Sequence, residues 1–351
     1  MTRVPLRISK KIIGIVLLLS LIGGFAAFGI MALPRDDIGF SERVLYGIWG
    51  KTFFSDVYLK YPDGGVRKLS PTENGIYYQA HINRNGTKVV FYGNDLGSPR
   101  IWLTDLDKQT TRPLTPENMS ARHPSFSWDG TMIAFSSDAG IAQERERIEL
   151  MHGDGRPPKN HFLNIYIMDT EGRNLRQITK GPYADQRPAF SPDGKMIAFV
   201  SNRDGIERVW TVSLNGREEP VPLQNEGFGY RPCYSPDGGK IYFFTKNNNS
   251  DQLGFINISD KKISLLNDFG KGNEHGPFVG YDGKNLLLHS NRSGKWEIWE
   301  LSLTGQELRK IEVPFDEALH ATRSANGIIA FDVPKISEVR KILSEIKMTI
   351  K

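Results

Sequence analysis

The stretch AFSPDGKMIAFVSNRDGIERVWTVSLNG, residues 189–216, joins a Ser-Pro-Asp-Gly turn, an apolar run, a polar loop and a second run ending in Asn-Gly. In the turn, proline presets φ and Gly194 supplies the left-handed position. KMIAFVS is apolar enough for a strand buried on both faces. RPAFS before it and RVWTVSL after it read as its neighbours, and Asn215-Gly216 turns the chain toward a fourth strand near EPVPL. Four strands this short cannot bury both faces of their own sheet, so the unit needs partners.

The partners are further copies. Aligning on the turn glycine gives NRNGTKVVFY at Gly86, SWDGTMIAFS at Gly130, SPDGKMIAFV at Gly194, SPDGGKIYFF at Gly238, GYDGKNLLLH at Gly283 and RSANGIIAFD at Gly327. The intervals are 44, 64, 44, 45 and 44 residues. The aromatic near the start of each third strand (Tyr58, Trp102, Tyr166, Trp210, Phe255, Trp299) repeats with the same intervals. Two registers that agree through an insertion establish the repeat. A period near 44 residues with four strands each is that of a propeller blade. The expected fold is therefore all-β, a six-bladed β-propeller of four-stranded blades. A hairpin at 57–70 and a strand pair at 319–332 share the closing blade, although RVLYGIW (43–49) competes with GIIAF for one seat in it.

The Ser-Pro-Asp-Gly-Lys-x-Ile-Ala-Phe-x-Ser-x-Arg pattern at 191–203 resembles the TolB-type six-bladed propeller family over roughly residues 40–333. The turns at Gly86, Gly130, Gly283 and Gly327 lack its proline. The resemblance implies an extracytoplasmic propeller that binds other proteins and leaves the partner unnamed. TolB itself has an α/β domain before the propeller, where this chain has an apolar segment and a short connection.

That segment lies between residues 12 and 34, which carry no charge and suffice to cross a bilayer core of about 30 Å. Arg3, Arg7, Lys10 and Lys11 precede it, and the positive-inside rule leaves residues 1–11 in the cytoplasm and the propeller, 35–333, outside. A transmembrane signal anchor is expected; a cleaved signal peptide is the rival. The same four residues supply most of the net charge of +5, so the nearly neutral body makes a poor nucleic-acid surface. Cys233, the only cysteine, excludes an internal disulfide and reads as a small apolar residue.

The first strand of a blade is innermost, and its start rims the central channel. Seven residues before each turn glycine stand Gln79, His123, Arg187, Arg231, Gly276 (after His275) and His320. These form the candidate ligand-binding mouth. Its arginines suit a carboxylate or phosphate, its histidines suit a divalent metal, and plain solvation is the alternative. The insertion at 139–160 overhangs this mouth or is a tolerated surface loop. Residues 334–351, with Ile336, Val339, Ile342, Leu343 and Ile346 at helical spacing, read as an amphipathic helix that packs on the propeller or docks elsewhere.

No Gly-x-Ser-x-Gly elbow, P-loop, dinucleotide fingerprint or His-Glu-x-x-His occurs. The expectation is a membrane-anchored binding or scaffolding module with no catalytic residues and no required cofactor. Its partners are a protein and, through residues 12–34, the lipid bilayer. Some lyases of oligogalacturonate share the fold and use channel-mouth histidines with a metal, so a metal-dependent enzyme on acidic oligosaccharides is the alternative. An assembly subunit is a third.

Overall fold

A strand whose residues alternate between two neighbours must be apolar on both faces, and the second strand of each repeat is. The computed structural model describes residues 55–334 except 74, 95–97, 140–161, 216, 224–226, 248–249, 267–271 and 305–306. The chain opens with β1 (Ser55–Lys60) and β2 (Val66–Lys68). Blade 2 follows as β3 (Ile76–Ile82), β4 (Lys88–Asn94), β5 (Arg100–Asp105) and β6 (Thr110–Pro113). Blade 3 is β7 (Ala121–Phe126), β8 (Met132–Ser137), β9 (Asn164–Asp169) and β10 (Arg176–Gln177). Blade 4 is β11 (Gln186–Phe190), β12 (Met196–Ser201), β13 (Arg208–Ser213) and β14 (Val221–Pro222). Blade 5 is β15 (Tyr230–Tyr234), β16 (Lys240–Asn247), β17 (Ser250–Asn257) and β18 (Ile263–Leu265). Blade 6 is β19 (Glu274–Val279), β20 (Asn285–Ser290), β21 (Glu297–Ser302) and β22 (Leu308–Lys310).

The last two strands, β23 (Leu319–Arg323) and β24 (Ile329–Pro334), complete blade 1 in the order β2-β1-β24-β23. Strand β24 pairs antiparallel with β1 from Ser55↔Pro334 to Lys60↔Ile329, so GIIAF takes the contested seat. Around the ring β24 packs on β3, β4 on β7, β8 on β11, β12 on β15, β16 on β19 and β20 on β23. The segments at 12–34, 43–49 and 335–351, and all but the first residue of the insertion at 139–160, lie outside the described residues. Among the described residues, no helix is long and apolar enough to cross a membrane.

The apolar clusters sit between blades. Along β20, Leu286 and Leu288 join Tyr242 and Phe244 of blade 5, while Leu287 between them joins Ile329 and Phe331 of blade 1. This is the period of two of a pleated strand used on both sides. Phe91, Phe135, Phe199, Phe243 and Phe331 are fully buried, each contributing about 1.5–3 kcal/mol relative to exposure. Of the aromatics on the third strands, Trp102, Tyr166 and Trp210 are buried, and Tyr58, Phe255 and Trp299 are half-buried against these clusters.

The repeated motif residues hold turns and blade edges. Ser191 Oγ donates to Asp193 Oδ1 (2.6 Å) and accepts from Met196 N (2.9 Å), while Asp193 Oδ1 also accepts from Lys195 N (3.1 Å). The same serine–aspartate bond recurs at Ser127–Asp129 and Ser235–Asp237. The Ser-x-Arg of the motif serves one carboxylate: Ser201 Oγ and Arg203 Nη2 each donate to fully buried Asp185 at 2.6 Å. Blade 6 repeats this with Glu274 and Arg292. Replacing Asp185 by alanine strands a guanidinium that is only 10% exposed. We expect Asp185→Ala to lower the urea-unfolding free energy by about 3–5 kcal/mol, whereas a loss below ~1 kcal/mol would assign the pair to the surface class.

Candidate functional site

Every innermost strand carries a bulge, and the bulge builds the mouth. Pairing with the second strand shifts between Tyr78 and His81, Arg122 and Ser125, Gln186 and Ala189, Tyr230 and Cys233, His275 and Phe278, and Leu319 and Thr322. Within each bulge one residue has positive φ: Gln79 (54°), His123 (56°), Arg187 (56°), Arg231 (57°), Gly276 (63°) and His320 (52°). These are the six positions counted back from the turn glycines. For the five with side chains, the left-handed conformation costs roughly 1–2 kcal/mol each. Two of the amides find acceptors on the preceding blade: Gln79 N donates to Asp332 Oδ1 at 3.0 Å and His320 N to His289 Nδ1 at 3.4 Å.

Three of the predicted residues meet across the axis. The amide orientation of Gln79 that satisfies its neighbours places its oxygen 2.7 and 3.2 Å from Arg187 Nη1 and Nη2 and 2.6 Å from Arg231 Nη2. Blades 2 and 5 face each other, so this bond spans the channel. Arg187 also stacks over the Tyr230 ring at 4.7 Å. His320 turns to Asp332, with Nδ1 2.9 Å from both carboxyl oxygens, and lies 4.8 Å from the His289 ring. His123 packs edge-on against Tyr92 at 5.4 Å. His275 is committed elsewhere: it bonds Asp251, stacks on Phe244 at 4.6 Å, and leaves the ring position to Gly276. Among the described residues, no group of three His, Cys, Asp or Glu side chains is arranged to hold a metal ion.

The opposite end of the channel is apolar. Trp128 of blade 3 and Tyr281 of blade 6 meet there at 5.1 Å and 87°. Trp128 Nε1 donates to Phe190 O (3.1 Å) and Tyr281 Oη to Ile82 O (3.4 Å). His81, Phe126, Phe190, Cys233 and Phe278 line the space above them. The channel thus has a polar end, where Gln79, Arg187 and Arg231 are half-buried, and an aromatic end. Asp332, His289 and Tyr92 were not among the predicted residues. They follow the buried aromatic or leucine of their second strands and stand beside the bulges, a register that a second alignment column would have exposed.

Burial sets the charge states. It lowers Arg231 to about 9, with the Arg187 charge acting in the same sense, so the Arg231 guanidinium remains cationic at neutral pH. It raises Asp332 to about 8, opposed by the Gln79 N–H and Arg231. Burial also holds His81 near 4 and keeps His123, His289 and His320 well below the ordinary imidazole value. The arginines add to this for the last three.

No protein-family model matches the chain. Over 206 residues it is 26% identical to the protein TolB homolog of Chlorobium chlorochromatii, covering 52% of this chain and 47% of that protein. Over 239 residues it is 24% identical to the Tol-Pal system protein TolB of Helicobacter pylori, covering 66% of this chain and 54% of the relative. The chain therefore spans about half the length of the curated relatives it matches. Among solved structures it is similar to one described as TolB from Agrobacterium tumefaciens (TM-score 0.62, 16% identity, 81% of this chain and 99% of that one). It is also similar to an oligogalacturonate lyase in complex with manganese (TM-score 0.52, 15% identity, 80% and 78%). The propeller is of the TolB type.

The buried histidines make the fold acid-sensitive. Their folded values lie below the unfolded value, so the unfolded chain binds more protons and stability falls as pH drops below about 6.5. Asp332, raised in the fold, opposes one of the four. Urea unfolding followed from pH 6 to 5 should lose stability, and His81→Gln should reduce that loss by about 1.4 kcal/mol per pH unit. A slope unchanged in the variant would mean that His81 titrates normally.

Proposed function

We propose that this chain is a membrane-anchored, extracytoplasmic propeller that binds a polypeptide partner at its polar channel mouth and performs no catalysis. The observation that carries the reading is the convergence of Arg187, Arg231 and Gln79 at the polar end of a channel whose other end holds the Trp128–Tyr281 contact. Such a channel offers oriented donors at one end, which suits holding a protruding group. The uncharged run at 12–34, flanked by cytoplasm-retaining positive charge, supports the anchor and the side of the membrane. The curated relatives named for the Tol-Pal system support a role in a protein assembly.

The enzymatic alternative draws on the manganese-containing lyase neighbour. Two guanidinium groups at the mouth disfavour a further positive charge there, and His320 and His275 already have aspartate partners. The binding reading fits the geometry better.

A photo-crosslinking residue at Tyr183, in the connection leading into β11, should capture a discrete polypeptide in native membranes. The same probe at Asp282, on an exposed turn at the apolar end, should capture none. Equal capture at both positions would remove the mouth from the reading.

A further inference from the structure

We propose that the mouth is a carboxylate socket, in which Arg187 and Arg231 receive a carboxylate of the polypeptide partner and Gln79 occupies the place of that carboxylate when the socket is empty. This rests on the protein-binding reading and names its chemistry. Two guanidinium groups from adjacent blades donate to one neutral amide oxygen. Among the described residues neither arginine forms an ion pair, and the nearby carboxyls are committed: Asp332 to His320 and Gln79 N–H, Asp251 to His275. A half-buried pair of like charges with only a dipole between them lacks its natural counterpart, a planar anion with two acceptor oxygens.

Further donors stand ready around it. Arg187 Nε, Arg122 Nε and His123 Nδ1 are buried without a hydrogen-bond partner. Gly276 provides room, since a Cβ there would come within 3.3 Å of Arg231 Nη1 and closer still to the His289 ring. The Tyr230 ring fixes the plane of Arg187. Because Trp128 and Tyr281 close the far end, the anion must arrive on the tip of a chain or a side chain and cannot belong to a polymer threaded through the axis.

The test uses the full chain in mild detergent and its thermal midpoint. The probes are acetyl-triglycine with a free C-terminus, the same peptide as its amide, N-acetylglutamate α-amide and inorganic phosphate. A saturable rise is expected with either carboxylate probe and none with the amide. The response to the free C-terminus against the glutamate side chain assigns the source. Arg231→Gln should weaken the response by at least about tenfold, and Arg187→Lys, which keeps the charge and loses the fork, should also weaken it. Gln79→Gly, tolerated at a φ of 54°, removes the competing acceptor and should tighten binding. Gln79→Glu places a carboxylate inside the socket, and should raise the midpoint without ligand and abolish the response. No response to carboxylates in wild type and Gln79→Gly, a larger response to phosphate, or a lowered midpoint in Gln79→Glu would each overturn the socket. If crosslinking from Tyr183 persisted meanwhile, the protein-binding reading would stand; a carboxylate response without crosslinking would leave the socket and sink the partner.

Discussion

Everything in this molecule depends on a ring with no spare face. Each second strand gives alternate side chains to the blades on either side, as Leu286, Leu287 and Leu288 do, so a missing neighbour exposes half of its apolar residues. The ring can satisfy all six interfaces only if its two ends meet, and they meet in the ladder between β1 and β24. Blade 1 is bound sideways as well: buried Glu300 of blade 6 accepts from both Arg309 of its own blade and Arg323 of β23. The ladder acts across a seam that has no covalent continuity, whereas the Glu300 contacts reinforce a junction that the chain itself crosses.

The channel follows from the same arrangement. Six innermost strands converge, and at their starts each bends through a left-handed bulge, held by a residue with a side chain in five blades and by Gly276 in the sixth. Opposite blades then touch twice, through Gln79 and Arg231 at the polar end and through Trp128 and Tyr281 at the apolar end. One set of contacts is charged and polar. The other is aromatic, hydrogen-bonded to neighbouring backbone, and fixed. A gradient from donors to hydrocarbon along one short axis gives the socket its direction.

Much of this was legible in the chain. The 44-residue period gave six blades because two markers kept step across the insertion, and the turn glycine located the mouth because the distance from bulge to turn is the same in every blade. Three things were hidden. That Gln79, Arg187 and Arg231 form one group depends on which blades stand opposite, and His275 left the mouth because Asp251 of the preceding blade draws it away. Asp332 and His289 lie on strands that read as uniformly buried, where a polar residue is conspicuous only once the bulge beside it is known. The contest between RVLYGIW and GIIAF could not be decided from propensity, since both are apolar runs of strand length. The pairing of β24 with β1 decides it.

That closing ladder also governs the order in which the protein can come into being. The bond from Gln79 N to Asp332 joins residues 253 apart in sequence, so the first blades must remain unfinished until the last strands exist. Loop closure of that length is entropically expensive before any contact repays it, and topologies dominated by such distant pairings fold slowly. During synthesis, β1 presents an open edge for the whole of that interval. An unsealed edge is a template for pairing with any other strand. The chain is therefore most exposed to wrong partners, and most in need of a chaperone, in the time between the emergence of its first hairpin and its last.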